Sequence, residues 1–481
     1  MAAKKPDVIK GVAGTPAKNF FVNMLTRDIE LHDAILDLLD NCVDGALRTL
    51  NDRPKGGKLS DDLSGFWAHI TLTPEKFTIE DNCGGIPWKI AESYAFRMGR
   101  PKEFEKPEGT IGMVGIGMKR AIFKLGRECY VHSHHRKDSF MVTVPETWFE
   151  EDNLDWNFPA EREEKPISKN YGTIIEISAL NDPVILAFQK GSKFRADFGE
   201  RIGESYSYLI DRGFKITVNG EKVKRKELRI FFEDPNQKPK WGGLIQPYIF
   251  RGKIGKVDVF FAVGYRSAIQ TEEELNAQRE GSFAEKDAGW TVVCNDRVVL
   301  SNDRSILTGW GFAGVPAFHT QFSAIAGIVE FSSENTFDLP LTTTKRGLES
   351  SKGLYTIVRN RMQEATKYFT RHTNRWKGRE NELKEHFRRL EKDEQEYDLD
   401  GLRKMARHVE MSASKNMPGC RLFKPNLPYR DVEDDSRRIT FVKPIPEISA
   451  VSQHLFDEER SPGEVGQACF EQVHEETTRK K

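Results

Sequence analysis

Cysteine is scarce in this chain, with six scattered over 481 residues. That excludes a disulfide framework and fits the reduced thiols of a cytoplasmic protein. Long apolar runs are missing too. Val257–Tyr265 is rich in apolar residues, but a membrane span needs roughly 20 of them. The opening MAAKKPDVIKG lacks the apolar core of a signal peptide, so a membrane-free location is expected. Net charge is absent: 73 Lys+Arg balance 73 Asp+Glu. This argues against a globally basic, histone-like binder of nucleic acid, though a local basic channel remains compatible with it. With 38% hydrophobic and 30% charged residues, the chain can build cores under a strongly ionic surface. Its length suggests about three units, and no internal repeat divides it.

Familiar catalytic patterns are also missing. Lys119 is followed by Arg120, so the Walker Gly-Lys-Ser/Thr pattern is not formed. Cys129, His132, His134 and His135 have no second pair at zinc spacing, and ordinary strand residues are the better reading. Asp398-Leu-Asp400 lacks a preceding apolar strand and is rejected as a nuclease metal pair. No Ser-His-Asp set can be assembled.

What is present is an alternation of helix and strand periods. Leu31, Ile35, Leu38, Cys42 and Ala46 recur at helical spacing, and Trp67–Asp81 reads as a hairpin around Pro74. Further strands are expected over Cys129–Ser133, Phe140–Val144, Thr173–Ile177 and Phe214–Val218, with a helix over Lys193–Arg212. Ser60–Gly65 and Glu150–Lys169 read as surface insertions. A second unit begins near Lys240, with a strongly apolar strand Val257–Val263, a hairpin turning at Asn295-Asp296, and a strand Ile325–Phe331. A helix from about Leu354 is expected to run on to about Arg389. Between Arg371 and Glu410 there are 11 basic and 10 acidic residues, the composition of a solvated helical arm. From Ser412 the density of proline and charge rises, and a partly disordered or partner-dependent tail is expected.

Three motifs carry chemistry. Asp37, Asp40, Asn41 and Asp44 share one face of the first long helix. A water-facing polar face is the plain reading. Asp and Asn, however, are poor interior helix formers because they compete for backbone hydrogen bonds, so a cluster of them suggests that they hold a metal–phosphate group or a catalytic water. The second motif is FTIEDNCGGIP. Asp81 ends a strand, and Gly84 and Gly85 behind it let the carboxylate meet a flat donor edge-on, although a simple turn would look alike. The third is Gly112-Met-Val-Gly115-Ile-Gly117 before a helix, where bare backbone amides and a helix N-terminus favour phosphate.

In this order, and with Tyr171-Gly-Thr173 as a fourth element, these motifs resemble the Bergerat-fold (GHKL) ATPases: gyrase, heat-shock chaperones, histidine kinases and MutL-type proteins. The resemblance covers roughly residues 19–220 and implies an α+β fold with a two-layer α/β sandwich. It implies that ATP and Mg²⁺ are the cofactors, with Asn41 holding Mg²⁺ and Asp81 accepting from the adenine amino group. Thr173 would support Asp81, and Gly115 and Gly117 would bind phosphate at the hinge of a lid containing Arg97, Arg100 and Lys102. Asp44, Gly85 and Gly112 join the expected nucleotide-binding set. The family usually has a water-activating glutamate four residues before the asparagine, where this chain has Asp37, so slow hydrolysis is expected. Cys83 departs from the usual glycine.

The stretch before Asp37 is too short for the phospho-acceptor hairpin of histidine kinases. The region after 220 instead resembles the transducer-like α/β domain of gyrase-, MutL- and MORC-like proteins. Lys345 there matches the lysine that crosses to the γ-phosphate, with Arg346 as its nearest rival. The expected organisation is an N-terminal strap (1–18), an ATPase domain (19–225), a transducer-like domain (240–375), a charged helical arm (376–411) and a tail (412–481). Thr15–Phe21 would either reach a partner subunit or cap its own domain. The function implied is an ATP-gated homodimeric clamp acting on DNA, with bacterial or phage-related defence as one setting, or with an effector protein. The alternatives are a chaperone-like or signalling ATPase that remodels a protein, and a nucleotide-binding scaffold that does not hydrolyse.

Overall fold

The computed structural model describes residues 17–51, 62–97, 116–150, 153, 155–165, 170–271, 274, 287–342, 347–415, 417–429 and 442–479. Helices α1 (Lys18–Thr26) and α2 (Leu31–Asn51) precede the hairpin β1 (Trp67–Leu72) and β2 (Phe77–Asp81), followed by the short helix α3 (Trp88–Ile90). Next come α4 (Gly117–Leu125), β3 (Gly126–His134), β4 (Ser139–Val144), β5 (Ala160–Glu163) and β6 (Gly172–Leu180). Helices α5 (Asp182–Phe188), α6 (Lys193–Ser205) and α7 (Ser207–Asp211) lead into β7 (Lys215–Val218) and β8 (Glu221–Lys222). These strands form an eight-stranded sheet in the order β5-β4-β3-β6-β2-β1-β7-β8. Its pairings are antiparallel except for β1 with β7.

The register of β1 on β2 places Ile70 opposite Ile79. Both are buried, and their layer packs in one core with Ile35, Leu38 and Val43 of α2 and Ala121, Ile122 and Leu125 of α4. The helical periodicity therefore points α2 at the sheet as expected. The segment read as an acidic surface insertion at 150–169 is exposed at most of its described positions, as expected, but it is anchored: β5 pairs with β4, and Trp156 stacks edge-on against buried Trp148 at 5.7 Å. The helix expected over Lys193–Arg212 breaks at Tyr206, between α6 and α7.

The second sheet contains β10 (Tyr248–Ile254), β11 (Val257–Tyr265), β12 (Gly289–Cys294), β13 (Arg297–Asp303), β14 (Ile325–Ser332), β16 (Ser412–Ala413) and β17 (Arg421–Phe423). Their order is β13-β12-β14-β11-β10-β17-β16, and β9 (Ile230–Phe231) pairs separately with β15 (Glu396–Tyr397). Central β11 is apolar on both sides because both of its faces are covered. Val259, Phe261 and Val263 enter a core with α8 (Gly353–Arg375) and α9 (Glu380–Lys392), while Phe260 and Ala262 pack with Leu399 and Leu402 of α10 (Leu399–Met405).

The expected continuous, solvated arm is thus two packed helices. Gly378, with φ near +80°, turns the chain after α8. Leu383, Phe387 and Leu390 of α9 are then buried. Glu233 fixes α9 from below, accepting from His386 Nε2 and Arg389 Nη2, each at 2.9 Å. The stretch from Ser412 also returns to the sheet, as β17 pairs with β10 and β16 with β17. Both sheets lie in one compact unit that ends at Pro428. Residues 429–481 form a separate unit in which α11 (Ile445–Phe456) and α12 (Pro462–Arg479) occur. No described helix is long and apolar enough to cross a membrane.

Candidate active site

The carboxylates on the polar face of α2 do not face water. Asp37, Asp40 and Asp44 are 2%, 0% and 4% exposed, whereas Asn41 among them is exposed. Buried carboxylates require countercharge, and two arginines from distant elements supply it. Arg120 of α4 donates from Nη2 to Asp37 Oδ2 at 2.6 Å. Arg297, the first residue of β13, donates from Nη1 to Asp40 Oδ2 at 2.7 Å. The hydroxyl of buried Tyr206 lies 2.6 Å from Asp40 Oδ1 and 2.9 Å from the Leu36 carbonyl oxygen. Burial opposes the charge on Arg297, but Asp40, Tyr206, Asp37 and Asp44 outweigh it and raise the guanidinium pKa.

Gly117 opens α4 against the same carboxylate. A Cβ placed there would lie 3.3 Å from Asp37 Cγ and Oδ2, so the N-terminus of α4 and Asp37 share one site. Lys119, two residues on, donates to the Ala95 carbonyl at 2.9 Å. This ties α4 to the residues that precede the glycine loop.

Asp81, the last residue of β2, stands beside Cys42 in the middle of α2. Its Oδ1 accepts from the Cys83 amide at 2.7 Å and the Thr173 amide at 3.3 Å. The help from Thr173 therefore comes through its backbone. Burial pushes the Asp81 carboxyl up to about 6, against the lowering effects of the Cys83 amide, the Cys42 thiol, the Thr173 amide and Arg48. The carboxylate is still mostly ionised at neutral pH, as an acceptor of amino hydrogens must be. Close backbone approach builds the surrounding wall. A Cβ on Gly172 would meet the Asp81 carbonyl oxygen at 1.8 Å, and one on Gly85 (φ near +70°) the His134 carbonyl oxygen at 2.4 Å.

The structure thus places Asp37, Asn41, Asp44 and Gly117 along α2 and the start of α4, and gathers Asp81, Gly85 and Thr173 where β2 and β6 meet. Gly112, Gly115, Arg100, Lys102, Lys345 and Arg346 lie outside the described residues, as does Thr15 of the strap. Among the described residues no group of three His, Cys, Asp or Glu side chains could hold a metal ion. An exposed amide such as Asn41 suits Mg²⁺, which takes most of its ligands from phosphates and water. Sequence reading missed Arg120, Tyr206 and Arg297 as parts of the site. The signal available was indirect: three clustered aspartates require cations, but their spacing does not say which ones.

Residues 29–173 match the family model described as histidine kinase-, DNA gyrase B-, and HSP90-like ATPase. The match spans less than a third of the chain, yet it starts just before α2 and ends at Thr173, so it takes in every described element of the site except Arg297 and Tyr206. No curated protein matches the chain. Sequence motifs, two-layer fold and family match agree that this region is an ATP-binding ATPase domain of the GHKL type.

Proposed function

We propose that the protein is a slow ATPase whose nucleotide cycle switches its assembly. The observation that supports this best is the pairing of an adenine-end acceptor, Asp81, with a phosphate-end set, Asp37, Asn41 and Gly117, along one helix. Asp81, held in place by the Thr173 amide, binds and orients the base. Asn41 would hold Mg²⁺, which when bound neutralises charge on the phosphate oxygens. Asp37 takes the proton of the attacking water as its oxygen bonds to the γ-phosphorus and the bond from that phosphorus to the ADP oxygen breaks. Lys345, which follows β14 and precedes α8 in sequence, is the proposed contact to the terminal phosphate. In this reading the second sheet is a transducer, and ATP favours an N-terminal homodimer that closes on DNA. Bound ATP shifts that equilibrium only through its greater affinity for the closed form.

One observation favours a second reading. The Asp37 carboxylate is held by Arg120 at 2.6 Å, an arrangement that also suits a nucleotide-binding scaffold without turnover. Phosphate release decides between the two: release above background that is lost in Asp37→Ala supports the ATPase, and background rates in wild type support the scaffold. Size-exclusion with an ATP analogue, ADP or no nucleotide tests the dimer. Failure to bind DNA at low salt, with or without analogue, sinks the DNA clamp.

A further inference from the structure

The hairpin of β12 and β13 touches the ATPase helices through its tip. Asn295 and Asp296 both have positive φ, near +47° and +64°, as the two central residues of a tight hairpin turn must. Arg297 follows directly, so the turn fixes where its backbone points. The tip is pinned by two ion pairs of opposite sense. Arg297 reaches Asp40 on α2, and Asp296 accepts from Arg212 just after α7. Around the first pair everything is closed: Arg297 is 3% exposed and its guanidinium lies 5.4 Å from the centre of the Tyr206 ring.

This is a poor device for stability. Desolvating two charges cancels much of their attraction, and Nε of Arg297 has no hydrogen-bond partner among the described residues. It is a good device for transmission. Asp40 immediately precedes Asn41 and lies one turn from Asp37, so a displacement of the hairpin is felt at α2 through a connection with no solvent to absorb it.

We infer that Arg297 is a positioning residue for nucleotide turnover, through which the second sheet sets the geometry of α2 at the phosphate end of the site. The inference rests on the nucleotide reading above. It identifies a link between the two sheets that is present without the proposed Lys345 contact.

The test separates binding from turnover in Arg297→Met, Arg297→Lys, Asp40→Asn and the double variant Arg297→Met/Asp40→Asn. Arg297→Met should leave the affinity for a nonhydrolysable ATP analogue within about threefold and lower kcat by about tenfold or more. Arg297→Lys should recover part of the loss, since it keeps the charge but not the fork. The double variant should be no slower than the worse single one, the signature of residues that act as a unit. Asp296→Asn, at the more open half of the tip, should lower kcat by about two- to fivefold at unchanged melting temperature. An unchanged kcat in folded Arg297→Met overturns the inference, as does a loss that follows only the fraction of folded protein. Should Arg297→Met not fold, unchanged kcat in both Arg297→Lys and Asp296→Asn overturns it. A wild type that binds no nucleotide sinks the parent reading and this inference together. A wild type that turns ATP over with indifferent hairpin variants sinks the inference alone.

Discussion

Nη2 of Arg120 sits 2.6 Å from Oδ2 of Asp37, with both side chains buried where α4 begins. The carboxylate proposed to activate water is therefore already neutralised by a cation three residues beyond Gly117. An aspartate is one methylene shorter than the usual glutamate, so the pair holds the carboxylate close to α2. In the proposed reaction the pair has to loosen when nucleotide occupies the N-terminus of α4, which would make the proposed hydrolysis slow.

Asp37→Asn keeps the shape and removes the base. Turnover should fall by about 10²–10⁴-fold, while analogue affinity changes by less than about threefold. Calorimetry alongside a phosphate-release assay measures both. Equal losses in the two would mean that Asp37 binds nucleotide and does not activate water.

Asp81→Asn replaces the acceptor with an amide that presents its own hydrogens. A charge-assisted hydrogen bond contributes about 1.5–3 kcal/mol, so affinity for ATP analogue should drop by about 10–100-fold. Unchanged affinity would refute the adenine-end assignment.

The Asp81 carboxyl at about 6 makes a pH prediction with two opposite signs. Its folded-state pKa is raised above the unfolded value, so the folded protein binds the proton more tightly. That contribution to stability is present at low pH and is lost as pH rises through about 6. Nucleotide affinity runs the other way, falling about tenfold per pH unit below that value as the acceptor protonates. Analogue titrations and thermal unfolding between pH 5 and 8, each compared with Asp81→Asn, check the pair of signs. Cys42, Cys83, Thr173 and Arg48 are the groups that face this carboxyl.

Phe387→Ala tests the packing of α9. Phe387 is fully buried beside Tyr265 at 5.5 Å, and truncating such a ring costs about 3–5 kcal/mol. A melting temperature within a degree of wild type would restore the solvated-arm reading.

Much of the candidate site's layout could be read from sequence, because its residues are local to motifs. Asp37 and Asn41 share a helical face, Asp81 ends a strand, and Gly117 opens a helix. The strands of the second sheet were also legible from runs such as Val257–Val263. Partners that come from far along the chain were not. Arg297 is 257 positions from Asp40, and nothing local distinguishes it from any other strand arginine. The charge count of 371–410 misled for a related reason: helical spacing places Leu383, Phe387 and Leu390 on one stripe, and a window average hides a stripe. In the same way the anchoring Trp156 is hidden among acidic neighbours.

The return of the chain at β17 has a practical consequence for dissecting the protein. Ile249, Phe250 and Arg251 pair with Phe423, Leu422 and Arg421, so these late residues cap a strand whose other side is already taken by β11. Ending the chain at Met411, as composition alone would suggest, bares a hydrogen-bonding edge next to a hydrophobic core and invites strand-to-strand self-association. Ending it after Tyr429 keeps that edge sealed and removes the separate helical unit cleanly.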